Sequence, residues 1–167
     1  MLTYTGIPKA SYYAMGLSYR FSRRILKQGD QYIVGRIDNG YEILIYNMHF
    51  YRDDYKGNDP TVISFTNRYN VFSEEADLEC HIELPGSAGT WHIFRAEISR
   101  EHGSSYDAWV RMGSPNDMSP DIAQYLSDVS APKLQFETIQ TAGDIILDDV
   151  VEPHGVLYIR VSTAVLP

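Results

Sequence analysis

The chain has 167 residues, a length suited to one domain with a sizeable core, and 44% of them are hydrophobic. With 22 acidic against 14 basic residues it carries a formal net charge of −8, spread along the chain, which argues against nucleic-acid phosphates and anionic membranes as partners. Cys80 is the only cysteine, so no internal disulfide forms, and a single thiol points to a reducing, cytoplasmic setting.

In chain order, the first six residues read as the tail of a preceding element. A helix is expected next, with Pro8 in its first turn and Gly29 at its end. Ala10, Tyr13, Ala14, Leu17, Phe21 and Ile25 make one apolar stripe at helical spacing. Tyr12, Met15, Tyr19 and Leu26 lie off that stripe, and a helix apolar on more than one side wants more than one partner.

From residue 31 the pattern turns to β. Residues 31–37 and 41–48 flank Asp38-Asn39-Gly40, whose Asn-Gly predicts a hairpin turn. Residues 41–48 are apolar on both alternations, which predicts a central strand covered on both faces. A polar loop is expected over 52–60 and a short strand over 61–66. In 77–84 the alternation puts Leu78, Cys80, Ile82 and Leu84 inside. A turn over 85–89 and a strand over 90–99 follow.

Residues 100–118 then carry charge, glycine and aromatics without a period, which predicts a long irregular insert. Ser119-Pro120-Asp121 caps a short helix to about Val129. Strands are expected over 133–140, 144–151 and 156–161. The sum is a mainly β chain: an antiparallel two-sheet β-sandwich with an N-terminal helix and a short helix in a long insert. Leu78, Ile82, Ile93, Leu147 and Ile159 are its expected core.

Motifs for catalysis are poor. The acidic pairs Asp53-Asp54, Glu74-Glu75 and Asp148-Asp149 are each adjacent in sequence, so in a strand their members point to opposite faces and cannot flank one glycosidic bond. Asp53, Asp54, Asn58 and Asp59 cluster oxygens but match no Ca²⁺ loop. The five histidines (His49, His81, His92, His102, His154) lack zinc spacing. His102, Ser104, Ser105 and Asp107 sit together in one segment, whereas a catalytic triad draws its members from separate elements. No catalytic residue, metal site or cofactor is therefore expected. Sugars stack on aromatic rings beside hydrogen-bonding groups, and Asn47, His49, Tyr51 and Tyr55 are the candidates for such a contact.

Four stretches carry a resemblance. Gly6-Ile7-Pro8-Lys9-Ala10-Ser11-Tyr12-Tyr13-Ala14 resembles the opening of the last barrel helix in glycoside hydrolase family 39, and the hairpin from Tyr32-Ile33-Val34 to Tyr46-Asn47 resembles that family's first sandwich hairpin. Arg100-Glu101-His102-Gly103-Ser104-Ser105-Tyr106-Asp107-Ala108-Trp109-Val110-Arg111-Met112-Gly113, followed by Pro115 and Ser119-Pro120, is similar to a loop of its β-xylosidase-like members. Glu152-Pro153-His154-Gly155 resembles the turn before the family's final strand.

The resemblance implies a parent protein with a TIM barrel that hydrolyses β-xylosides with retention, using two glutamates on barrel strands. No part of this chain matches those strands, so those roles fall on no residue here. It further implies that residues 1–29 hold the terminal helix of that barrel and 30–167 a β-sandwich accessory domain. The connector over 49–71 also resembles AraC-type transcription regulators that carry such domains, where the chain would be a carbohydrate-binding or sensor module. In either parent the expected partner is the barrel of the same chain, with a homo-oligomer as a further option and xylo-oligosaccharide contact only in that context. Arg100, Glu101, His102, Tyr106, Asp107, Trp109 and Arg111 are the expected contact segment, because Trp and Arg are frequent interface anchors.

Overall fold

The structure is a computed structural model and describes residues 1–3, 5–22, 24–56, 61, 63–73 and 76–164. A six-stranded antiparallel sheet runs in the order β1 (Ile25–Gln28), β2 (Tyr32–Ile37), β3 (Gly40–Tyr46), β8 (Val156–Ser162), β5 (Gly89–Ile98), β6 (Lys133–Thr141). A two-stranded antiparallel sheet, β4 (Leu78–Leu84) with β7 (Ile145–Val151), packs on one face of it. Helix α1 (Ala10–Arg20) covers part of the other face. The mainly β, two-sheet class read from the sequence is thus the class observed.

The core lies between the sheets. Tyr41, Ile43 and Ile45 of β3, Ile93 of β5, Leu147 of β7 and Ile159 and Val161 of β8 are buried there, while Leu78, Cys80 and Ile82 of β4 pack half-buried against them. On the opposite face Leu44, Ala96, Ile98 and Tyr158 meet Leu17 of α1. The expected double coverage of the third strand follows from this: odd residues of β3 face the small sheet and even ones face α1. Glu42 is the polar exception on the helix side, buried but accepting hydrogen bonds from Tyr158 Oη at 2.9 Å and the Ser22 amide at 2.6 Å.

Several local expectations are corrected. The helix stops at Arg20, because Phe21 is extended (ψ 136°) and the Ser22 side chain donates to the carbonyl of Arg36 at 2.9 Å. Residues 25–28, which continued the helical stripe, form the outer strand instead, and Gly29 makes the β1–β2 turn, donating to Tyr32 O at 2.9 Å. The Phe21 ring lies over Gly35, where an added Cβ would come within 2.9 Å of it. Sheet pairing and this ring–backbone contact outweigh the local helical period.

The first hairpin forms, yet Ile37 pairs with Gly40, so its two-residue loop is Asp38-Asn39 rather than Asn39-Gly40. Gly40 is required for another reason: an added Cβ would stand 1.9 Å from the carbonyl oxygen of Val161 on β8. The third strand ends at Tyr46 rather than Met48, and Met48 is exposed. Asn47 is turned inward there, its amide nitrogen donating to Ala76 O at 2.8 Å and Val151 O at 2.9 Å.

The described part of 52–60 contains a short helix, α2 (Asp53–Lys56), and Ile63–Thr66, expected in a strand, is irregular. The expected irregular insert contains helix α3 (Ser105–Arg111). The capped helix appears as read: α4 (Pro120–Val129) has Ser119 Oγ accepting from Ile122 N at 3.3 Å. β6 and β7 flank the turn at 142–143 but do not pair, since the chain crosses there from the large sheet to the small one. None of the described helices is long and apolar enough to cross a membrane.

Candidate functional site

Helix α3 is short and held by its own sequence. Ser104 is its N-cap, accepting from Asp107 N at 3.2 Å and donating its hydroxyl to Asp107 Oδ2. Gly113, at φ 90°, ends it in the left-handed conformation that a glycine takes without strain. Ala108 is buried against Leu126 of α4 and Ile7 of the N-terminal segment, with Trp109, Met118 and Ile122 around them. Trp109 donates its indole N–H to Pro115 O at 3.0 Å, and Ser105 Oγ donates to Pro8 O at 3.0 Å. The helix pair and the entry to α1 are therefore one packed unit.

Asp107 is the buried centre of this unit. Besides Ser104 it accepts from Tyr69 Oη at 2.7 Å and from Arg100 Nε at 3.4 Å, while the Arg100 guanidinium lies 3.9 Å from the centre of the Tyr69 ring. Burial, then the carboxylate of Asp107, push the Tyr69 hydroxyl well above its ordinary range, so it stays a donor. Tyr69 belongs to a 3₁₀ turn (Tyr69–Val71) in the connector before β4. The same connector supplies Phe65, edge-on to Trp109 at 5.3 Å, and Arg68, whose guanidinium lies 5.0 Å from the Tyr106 ring centre and 5.6 Å from that of Phe65.

The aromatic contacts continue without a break. Tyr69 faces His154 at 5.4 Å, His154 packs on Phe72 at 4.1 Å, Phe72 stacks on Tyr51 at 5.0 Å, and Tyr51 meets Tyr55 at 5.1 Å. His154, at φ 62°, is a non-glycine residue in the left-handed region, and its amide donates to Asn47 O at 2.8 Å. His49 lies 5.5 Å from the His154 ring. The two groups singled out from the sequence, the contact segment and the candidate sugar-contact residues, are thus joined through Tyr69, Phe72 and His154. Those three and Phe65 and Arg68 were not among the candidate residues. The available signal was aromatic density in a polar connector, visible in Asn67-Arg68-Tyr69-Asn70-Val71-Phe72.

Two clefts border this band. One, of about 740 Å³, is open and lies beside Phe50, Tyr51, Asp53, Asp54 and Phe72. The other, of about 620 Å³, lies between the N-terminal segment, the connector and α3–α4, walled by Ile7, Phe65, Arg68, Tyr106, Trp109 and Leu126. In the first, one face of the Tyr51 ring is already stacked on Phe72. In the contact segment, Glu101 is exposed, His102 Nε2 stands 4.0 Å from Glu101, and Arg111 Nη1 donates to Arg100 O at 3.1 Å. His102 faces Glu101, and Ser104 engages Asp107 directly, so these residues form a structural cluster rather than a nucleophile–base relay.

The remaining charged candidates are also accounted for. Asp54 pairs with Arg52, whose hydrogen bonds hold its carboxyl below the usual range, and Asp53 pairs with Lys56 at 2.9 Å. Asp148 lies on the outer face against His81 at 2.6 Å, whereas Asp149 turns inward to Arg95 at 2.9 Å. Asn58, Asp59, Glu74 and Glu75 lie outside the described residues. Among the described residues no three His, Cys, Asp or Glu side chains are grouped to hold a metal.

No family model matches the sequence, and no curated protein matches it. Solved structures do match the fold. A monomeric β-xylosidase from Caulobacter crescentus is 16% identical with a TM-score of 0.74, over 96% of this chain and 32% of that one. A glycoside hydrolase family 39 enzyme from Xanthomonas axonopodis pv. citri is 14% identical with a TM-score of 0.72, over 95% of this chain and 31% of that one. A family 39 β-xylosidase from Caulobacter crescentus gives a TM-score of 0.61 at 16% identity, over 98% of this chain and 29% of that one. The chain therefore spans about a third of the length of the structures it matches.

Proposed function

We propose that this chain is a non-catalytic β-sandwich accessory domain of a family 39-like glycoside hydrolase of β-xylosidase type, which braces a separate catalytic barrel. The observation that carries the reading is the pairing of a near-complete fold match with a partial one: 96% of this chain corresponds to 32% of a β-xylosidase. Among the described residues, Asp53 and Asp54 beside the open cleft are paired with Lys56 and Arg52, and Asp148 and Asp149 point to opposite faces, so neither adjacent pair presents two free carboxylates to one glycosidic bond. Catalysis in such a parent would belong to the part this chain does not span.

The docking role is supported by α1. Its stripe of Ala10, Tyr13, Ala14 and Leu17 packs on the sheet, yet Tyr12 (48%), Met15 (41%) and Tyr19 (81%) remain exposed on other sides. Large apolar side chains grouped on one helix suit a face that another domain covers. The contact segment lies at the N-terminal end of the same helix, where Ser105 is bonded to Pro8.

Turnover of an aryl β-xyloside tests the reading. The 167-residue chain alone is expected to be inactive, and the full-length protein active through carboxylates outside this chain. Turnover by the chain alone, abolished by one substitution within it, would overturn the proposal.

A further inference from the structure

We infer that the 620 Å³ cleft at the N-terminal end of α1 is a socket for an acidic, apolar-tipped segment of the companion domain, with Arg68 and Lys9 receiving its carboxylate. This rests on the docking role proposed above and adds where the companion inserts and with what chemistry.

The charge of the cleft is opposite to that of the chain. The chain carries −8 overall, yet the cleft is lined by Lys9 and Arg68 and by no Asp or Glu among the described residues. Neither cation has a carboxylate within ion-pair distance among the described residues, a state they share with Arg20, Lys27, Arg36, Arg111 and Arg160, but these two lie together at the wall of one cleft. Arg68 is also pre-oriented. Its guanidinium lies over the Phe65 and Tyr106 rings, and its backbone amide donates to Tyr106 Oη at 3.2 Å, which fixes the side chain's base. A guanidinium stacked on rings keeps its edge N–H groups for a planar carboxylate.

The walls select a protein segment over a sugar. A pyranose presents hydroxyls that call for amide or carboxylate partners, and among the described residues no Asn, Gln, Asp or Glu lines the cleft. The hydroxyls of Ser104 and Ser105 are already engaged by Asp107 and by Pro8 O. Beside these and the hydroxyls of Thr3, Thr5 and Ser11, the wall offers an apolar surface of Ile7, Phe65, Phe72, Trp109, Met118 and Leu126, which suits a bulky side chain. The cleft also adjoins the exposed side of α1, since Lys9, Ala10 and Ser11 belong to its wall, so one companion domain covers both.

The test uses the full-length protein. Arg68→Glu and Phe65→Ser alter exposed side chains, and an unchanged far-ultraviolet circular dichroism spectrum checks that each variant keeps the fold. Each is expected to speed limited proteolysis between the domains at least tenfold, with Arg68→Gln intermediate. A parallel Tyr12→Ser/Tyr19→Ser variant reads the helix face. If that variant loosens the domains while Arg68→Glu and Phe65→Ser do not, the socket is refuted and the docking role stands. If none of them loosens the domains, both readings fall. Saturable calorimetric binding of xylotriose to the 167-residue chain, lost in Phe65→Ser, would make the cleft a sugar site and overturn the socket.

Discussion

Tyr69 donates its hydroxyl to Asp107 across 2.7 Å, joining two residues 38 positions apart in the chain. Through this bond the connector before β4 is tied to helix α3, and the aromatic band acquires its continuity. Tyr69→Phe keeps the ring and removes only the donor to a buried carboxylate. Its expected cost is about 1.5–3 kcal/mol, the range for hydrogen bonds to charged groups. Urea unfolding measures it, and a variant as stable as the parent sequence would mean that Ser104 and Arg100 alone satisfy Asp107.

Gly40 and Gly143 should respond oppositely to the same substitution. A Cβ at Gly40 meets the Val161 carbonyl oxygen at 1.9 Å, while one at Gly143 meets nothing within 4 Å. Gly40→Ala forces β3 and β8 apart in the centre of the large sheet, so a loss of ~3 kcal/mol or more is expected. Gly143→Ala should stay within about 0.5 kcal/mol. Thermal unfolding of the two variants side by side decides the matter.

Arg95 links three elements, donating through Nε to Asp149 at 2.9 Å and through Nη1 to Glu137 at 2.8 Å. Burial pushes the Asp149 carboxyl up despite the guanidinium beside it. Arg95→Leu removes the partner and leaves that carboxylate uncompensated, for an expected loss of about 3–5 kcal/mol at neutral pH. The double variant Arg95→Leu/Asp149→Leu is expected to recover most of the loss. If it is as unstable as the single variant, the pair is not what Arg95 contributes.

His81 gives the small sheet a pH dependence. Hydrogen bonds donated to Asp148 first, then to Glu83, raise its pKa above the ordinary 6.5. A folded value above the unfolded one means that the stabilisation is fully present below 6.5 and disappears as pH rises through the folded value. The imidazole resonance should therefore titrate above the ordinary value, and Asp148→Asn should lower its midpoint. An unchanged midpoint in that variant would refute the contact.

The aromatic band shows why the candidate site was only partly legible in the sequence. Trp109, Tyr106 and Tyr51 stood out by type. Tyr69, Phe72 and His154 read as unrelated residues, because their meeting depends on the connector folding back across the end of the sheets. The eight strands teach a similar lesson. Residues 25–28 continue a helical stripe but become an edge strand, since pairing with β2 satisfies backbone groups that local periodicity does not register.

By itself the sequence determined the alternation of β4, the double burial of β3 and the cap of α4, because each depends on neighbours within a few residues or on residue type alone. The tertiary structure alone decided where α1 stops, that β6 and β7 lie in different sheets, that Gly40 must admit the Val161 carbonyl, and that Arg68 and Trp109 border one cleft. These arise from contacts between segments remote in the chain, whose energies exceed the local preferences they override and leave no periodic trace in the amino-acid order.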